Sequence, residues 1–469
     1  MNNQSNKQAT FFSRCLRECG ALLALSMPII ISQLATQGMN FVDTTMAGQA
    51  SARDLAAIAV GGSLWLPVSL LLRGILMALT PMIAHHRGAG VSRGITHDLG
   101  QTGWIALICS ALLIVYLTQA GQILVAMDVA PDIVPIASGY LMALAFGAPG
   151  IALFYTLNSF CEGMSNTRAP MIIAIIGLLL NIPINYVLIY GKLGMPEMGA
   201  VGCGWATSLV YWVMAGMMLL YVRTHHTYKQ HVDTAEMHPS LSRMGEIFRL
   251  GLPIGINIFV CGSIFAVIAL LIGKLGANNV AAHQIALNFS GLTYMIPMSL
   301  SFGITIRVGH TLGQGNIEEA KLRSLSGMIL AVCCSAASAS CILLFPHAII
   351  GLYTNNPEVT QGAALLLGYA AIYQISDALQ SSANGVLRGF KDTRIPMMLV
   401  TFAYWGVALP LGYTLGLTNI IVPAMGAAGF WIGLITGLTL AAMLLIGRLM
   451  AVMMKTRTTC TMTTQPITG

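Results

Sequence analysis

Asp43 sits inside an apolar run from Leu22 to Ala47, and far downstream Asn181 and Asn185 stand four residues apart on either side of Pro183. Residues four apart share one face of a helix, while a proline removes one backbone hydrogen bond and leaves a carbonyl free near the same level. A carboxylate, two amide oxygens and a freed carbonyl are a donor set for a proton network or a small hard cation. The competing reading is a polar clasp between helices. A second buried carboxylate is expected at Asp377, preceded on the same helical face by Tyr373 and Gln374, which offer a hydroxyl and an amide.

An Asp near the centre of a spanning helix costs roughly 2.5 to 3.5 kcal/mol on insertion scales. Such a residue needs a polar partner, a water-filled cavity or a bound proton, and it marks ion or proton pathways by default. Burial disfavours the charged form of any carboxylate, so proton uptake at one face and release at the other becomes feasible. The plainer alternative is a locked hydrogen-bond network that only specifies packing. The other fourteen of the sixteen acidic residues are expected in loops, tails or at helix ends. Arg73 is the one basic residue deep in an apolar segment, between Trp65 and His86, with Pro67 and Pro81 to bend it. Pairing with a carboxylate across a cavity, attracting an anionic group of a substrate and snorkelling to an interface all stay open for it.

The elements that position these residues follow from composition: 469 residues, 56% hydrophobic and 8% charged, with a mean hydropathy of +0.76. So few charges cannot cover a soluble core of that size, and the apolar runs are unbroken, unlike the alternating segments of a membrane barrel. Segments of spanning length fall near 21–47, 56–84, 101–127, 135–157, 170–190, 200–222, 250–273, 280–306, 324–346, 360–382, 396–417 and 427–449. The fold class is therefore an all-α integral membrane protein of twelve helices. The first apolar run is too long for a signal-peptide core and reads as a retained span.

Nineteen of the 23 Lys and Arg fall in alternate loops or the termini on one side, against Arg53, Lys192 and Lys274 on the other. The positive-inside rule then puts both termini in the cytoplasm of a multi-pass protein of the inner (plasma) membrane. The net charge of +7 reflects this bias and gives no reason to expect nucleic acid. Ten cysteines are scattered without metal-ligand grouping and read as small apolar filler, and no cofactor or metal is expected. The 28 methionines suit a surface that adapts to varied ligands, although most are expected to pack or face lipid.

The chain repeats itself. Pro28, Ala57, His85, Gly88 and Gly90 recur 225 residues later as Pro253, Ala282, His310, Gly313 and Gly315. Gly163, Thr167, Arg168, Pro170 and Met171 recur 226 later as Gly389, Thr393, Arg394, Pro396 and Met397. Two homologous six-helix halves enter the membrane in the same orientation, as parallel repeats do. The expected organisation is a cytoplasmic arm 1–20, an N-lobe 21–222, an inter-lobe loop 223–249, a C-lobe 250–449 and a disordered cytoplasmic tail 450–469.

Several runs carry a resemblance: Asn40-Phe41-Val42-Asp43-Thr44-Thr45-Met46-Ala47-Gly48, Asn181-Ile182-Pro183-Ile184-Asn185, Ala281-Ala282-His283-Gln284-Ile285-Ala286 and Tyr373-Gln374-Ile375-Ser376-Asp377. They resemble the multidrug and toxic compound extrusion (MATE) family, in its NorM-like branch. The resemblance implies two six-helix bundles around a central V-shaped cavity, and antiport that exports cationic and amphipathic drugs against inward proton or sodium flow. It assigns Asp43 as the first-lobe carboxylate with Asn181 and Asn185 as neighbours, and Asp377 as the second-lobe carboxylate with Tyr373 close by. Asp43, Asp377, Arg73 and Gln374 are the substrate-cavity candidates. Sodium-coupled relatives carry a glutamate where this chain has Cys261, and a neutral thiol is a poor ligand for a hard cation. The expected coupling ion is therefore a proton rather than sodium, with small organic cations and membrane lipid as partners and a monomer as the working form. The alternative is a lipid-linked precursor flippase of related two-lobed architecture. It would need several cavity cations, where only Arg73 stands. An intramembrane enzyme would need clustered carboxylates at a membrane face, which the sequence lacks.

Overall fold

A computed structural model describes residues 2–229, 238–354, 356–420 and 422–463, with side chains described between Phe12 and Lys455. No strand occurs among the described residues. Twelve helices are long and apolar enough to cross a membrane: Phe12–Ala50, Ala52–Ala89, Ser92–Thr118, Val134–Gly163, Arg168–Ile189, Gly199–Thr224, Leu241–Leu275, Ala277–Gly313, Ile317–Leu344, Pro357–Gly389, Arg394–Leu417 and Ala427–Lys455. Their number and order match the apolar runs, because a chain in hydrocarbon has to pair every backbone group internally and the helix does so within one segment.

Proline shapes them unevenly. Pro28, Pro149, Pro183, Pro253 and Pro297 lie inside continuous helices. The second span instead breaks into Ala52–Leu76 and Leu79–Ala89. The break begins at Met77, four residues before Pro81, where the proline ring collides with the carbonyl of the preceding turn. In the eleventh span Phe402–Ala408 widens into a π-helical turn ahead of Pro410.

Several helices run past the limits set by hydropathy. The first is continuous from Asn2, so the polar arm is helical too, and the last continues through Thr463. That corrects the reading of 450–469 as disordered for the residues up to Thr463; the remaining six lie outside the described residues. Extending a formed helix adds one hydrogen bond per residue fixed, so a polar tail can continue an apolar helix that has already nucleated. The seventh helix begins at Leu241, inside the 223–249 loop, of which 230–237 lie outside the described residues.

The chain forms two compact units, Met27–Ile256, and Met1–Ser26 with Asn257–Gly469. Each unit thus holds the opening segment of a helix whose remainder belongs to the other. The first helix changes unit beside Pro28, and the seventh changes about a turn after Pro253. Within the Met27–Ile256 unit, Phe154, Phe160, Met214 and Met218 are core residues. There the opening segment of the seventh helix packs directly on the second, with Gly74 against the Gly255 backbone. A Cβ at Gly74 has no room, because the obstruction is main chain and cannot rotate away. In the other unit Tyr404, Phe430, Trp431 and Leu434 are enclosed, and Leu22 of the first helix lies against Gly303 and Gly327.

Gly74→Leu should therefore lower the apparent melting temperature of the detergent-solubilised protein, overpacking costing about 1–3 kcal/mol or more. Gly62→Ala, at a helical position with open space around it, should leave the melt unchanged or slightly raised.

Candidate functional site

The Met27–Ile256 unit brings Asp43 together with both predicted asparagines. Asn181 Nδ2 and Asn185 Nδ2 donate to Asp43 Oδ1 at 3.0 and 2.6 Å, so the four-residue spacing on the fifth span converges on one oxygen. The other oxygen is held by Thr207 of the sixth span, whose Oγ1 donates to Oδ2 at 3.0 Å. Asp43 is 8% exposed, and both asparagines are wholly buried. The amide oxygens of Asn181 and Asn185 are enclosed and accept no hydrogen bond among the described residues. A carboxylate with three donors beside two unused acceptors has two stable forms. As an anion it takes all three donors. Once protonated it carries an O–H, which the Thr207 hydroxyl or, after a rearrangement, the unused amide oxygens can accept.

Asp377 is placed differently. It is 4% exposed and accepts no hydrogen bond among the described residues. Around it lie Tyr294, Tyr373, Tyr404 and Cys261. Tyr373 in turn packs edge-on against Phe265 and Trp431, at centroid distances of 6.3 and 5.9 Å. Tyr404 projects from the π-helical turn and its hydroxyl donates to Gln380 Oε1 at 3.0 Å. Gln380 also reaches Cys261 Sγ, at 3.9 Å. A lone carboxylate among aromatic rings is the environment that attracts an organic cation, through charge and ring quadrupole together. Gln374 is not part of it. Its amide is committed to Thr293, at 2.6 Å, and to Ser338.

Arg73 lies over the ring of Tyr155, 5.5 Å from its centroid. It shares with Ser32, Gln33, Thr36, Asn158 and Glu162 a cavity of about 20 Å³, room for one water. Glu162 is 8% exposed and accepts from Asn158 Nδ2 at 2.9 Å. Of the roles left open for Arg73, a neighbouring carboxylate within the same unit is the one for which a candidate stands beside it.

The expectation of two buried carboxylates needs correcting. Glu18, Asp98 and Glu162 are also buried, at 7%, 0% and 8% exposure. They escaped because hydropathy ended the spans too early, and each lies on a helix that continues past the apolar run. Thr207, Tyr404 and Gln380 were missed as well. A single Thr or Tyr in a span carries no distinguishing signal, and the π-helical turn that aims Tyr404 has none in the sequence.

A family model described as MatE matches residues 28–187 and 253–414. Solved structures share the fold at low identity. The eukaryotic MATE transporter AtDTX14 is 22% identical, with 94% of this chain and 99% of that chain covered at a TM-score of 0.81. An outward-facing multidrug resistance MATE transporter of the MOP superfamily is 20% identical, covering 93% and 97% at a TM-score of 0.84. A MOP superfamily transporter from Pyrococcus furiosus, described as having a binding pocket of reversed polarity, is 20% identical, covering 94% and 95% at 0.81.

Asn181→Ala, Asn185→Ala and Thr207→Val should each slow gradient-driven transport about tenfold or more, since a hydrogen bond to a charged group is worth about 1.5–3 kcal/mol. Initial rates in membrane vesicles at matched expression test this, and a double substitution should cost less than the sum of the singles.

Proposed function

The chain belongs to the MatE family of membrane transporters, and from that premise we propose that it is a secondary antiporter that exports cationic and amphipathic organic compounds in exchange for protons. It is a multi-pass membrane protein of twelve apolar helices. The observation that carries the proton reading is the Asp43 carboxylate, with donors on both oxygens and two idle amide acceptors beside it. A proton arriving from the outer side neutralises Asp43. Its donors then lose their charged partner, and the first helix, with Pro28 about four turns away, is released to bend. The drug leaves and the unloaded carrier returns. Asp377 and its aromatic neighbours supply the subsite for the organic cation.

Exchange requires that proton and drug prefer different states of the carrier. A membrane potential supplies about 2.3 kcal/mol per charge per 100 mV, whereas inverting a 1:99 population takes about 5.5 kcal/mol. One proton thus biases the cycle without freezing it. Sodium is the weaker candidate because Asp43 is ringed by N–H and O–H donors, and because Cys261 offers soft sulfur where a hard cation wants oxygen. The excess of basic residues in alternate loops favours cytoplasmic termini in the inner (plasma) membrane.

The test is purified protein in liposomes, following a fluorescent organic cation under an imposed pH gradient or, separately, a sodium gradient with the potential clamped. The pH gradient should drive transport and the sodium gradient should not. Asp43→Asn should abolish driven transport while inserting normally; transport equal to the parent would overturn the assignment. Movement under neither gradient would favour a lipid-linked precursor as cargo. Cys261→Glu, which adds a second carboxylate near Asp377, should make transport respond to the sodium gradient.

A further inference from the structure

Each compact unit holds the opening segment of a helix that starts in that unit and continues in the other, and in both units that segment is tied by an ion pair to the helix that starts at Ser92 or Ile317. In the Met27–Ile256 unit Arg243 of the seventh helix grips Asp98, with Nε to Oδ1 at 2.7 Å and Nη2 to Oδ2 at 2.9 Å. His86 Nε2 completes the group, 2.9 Å from Asp98 Oδ2. In the other unit Glu18 of the first helix is gripped by Arg307, with Nη2 to Oε2 at 2.6 Å, and approached by Arg323 at 3.6 Å. Thr311 Oγ1 accepts from Arg323 Nη1 at 2.6 Å.

The two groups occupy the same places in the repeat. Glu18, His86 and Asp98 each have a counterpart 225 residues on, in Arg243, Thr311 and Arg323, the spacing that relates Pro28 to Pro253 and Gly90 to Gly315. The geometry is repeated and the sign is reversed. At these repeat-related positions one unit presents the acid Asp98 to the base Arg243, and the other presents the bases Arg307 and Arg323 to the acid Glu18; Arg14 of the same first-helix segment pairs separately with Glu319. Arg307 reinforces the second unit, and its counterpart in the first is the buried Met82.

A chain built from two homologous halves faces a particular error, since each opening segment resembles the other and can dock in the wrong half or in a second copy. A wrongly docked first helix would set Glu18 against Asp98, and a wrongly docked seventh would set Arg243 against Arg307 and Arg323. Like charges brought into contact at Asp98 or Glu18, whose side chains are themselves nearly enclosed, are unfavourable. A local tie could be made with either polarity in both halves. Opposite polarity is what distinguishes them, as charged registry residues do in helical assemblies.

We propose that the charge-reversed groups Arg243–Asp98–His86 and Glu18–Arg323–Arg307–Thr311 act as a key that admits each helix-opening segment into only one half of the protein during assembly. The key is independent of the coupling ion and of the cargo. It adds a role for the buried carboxylates Glu18 and Asp98, which the transport site does not use.

Two full-length variants test it. The first, Met82→Arg and His86→Thr with Asp98→Arg, Arg243→Glu and Glu246→Gln, gives one half the chemistry the other already uses, the last change removing the acid that Arg243 otherwise pairs with, so the tie is kept but both halves now carry the same polarity. The second adds Glu18→Arg, Arg307→Met, Thr311→His and Arg323→Asp, with Glu319→Gln to remove the acid that Arg323 otherwise pairs with, which restores opposite polarity with the signs exchanged. Both are expressed with a fluorescent tag and followed by size exclusion in mild detergent. The share of the first variant eluting at the parental position should fall about tenfold in favour of larger species, while the melting temperature of the fraction that remains is unchanged. The second variant should return to within about twofold of the parent. A first variant that assembles like the parent would reduce the pairs to local ties and overturn the key. So would a second variant that assembles no better than the first, because polarity would then not be what is read.

Discussion

Hydrocarbon cannot solvate a charge, and the Met27–Ile256 unit is arranged around how the Asp43 carboxylate escapes that cost. Three side chains from two other spans aim N–H and O–H groups at its two oxygens, so the first, fifth and sixth spans meet where the carboxylate stands. Replacing water by fixed donors keeps the anion tolerable. It also makes the arrangement conditional on the charge, because donors that converge on an anion have less reason to converge once it is neutral. A polar network sealed from water is either fully satisfied or expensive. The idle oxygens of Asn181 and Asn185 show that this one holds its spare capacity on the acceptor side.

Asp377 answers the same constraint in the opposite way. No hydrogen bond holds it among the described residues, and tyrosine rings whose hydroxyls are not bonded to it lie around it. A carboxylate left without donors keeps its lone pairs for something that comes and goes. The edge-to-face stack of Phe265, Tyr373 and Trp431 gives the surroundings rigidity without offering a competing cation. Cys261 and Gln380 occupy the polar side, where the thiol bonds weakly and binds hard ions poorly. One carboxylate is thus built to change state in place, and the other to receive a visitor.

What the sequence made legible follows the strength of each physical signal. A spanning helix announces itself over twenty residues, so the number and order of the spans were readable, and so was the pairing of Asn181 with Asn185, which needs only helical spacing. Ends of helices were not, because hydropathy falls where a helix leaves the hydrocarbon, not where its hydrogen bonds stop. Glu18, Asp98 and Glu162 lie in that interval and looked like loop residues although they are buried. Thr207 and Tyr404 depended on which face of a uniformly apolar helix turns inward, and a helix that is apolar all round does not say. The change of unit partway along the first and seventh helices was not read either, since the residues immediately on both sides of each crossing are apolar.

The duplication sharpens the contrast between scaffold and site. Glycines and prolines recur at spacings of 225 and 226 through both halves, whereas the buried carboxylates do not. The repeat counterpart of Asp43 is Ile268, and that of Asp377 is Ile151, both buried. Two identical halves would place equal carboxylates at equivalent positions, and a load binding one would bind the other equally well. An exchanger needs sites that differ, because a ligand shifts a conformational equilibrium only by its difference in affinity between states. The chain keeps the order of its spans and many of their glycines and prolines while placing its buried carboxylates unequally. A carboxylate in one half faces an isoleucine in the other's pattern, and the ion pairs near the ends of the helices are reversed in sign. Backbone geometry can be copied without penalty, whereas a buried charge has to be matched locally, so charge is where two copies of one fold can diverge while each remains folded.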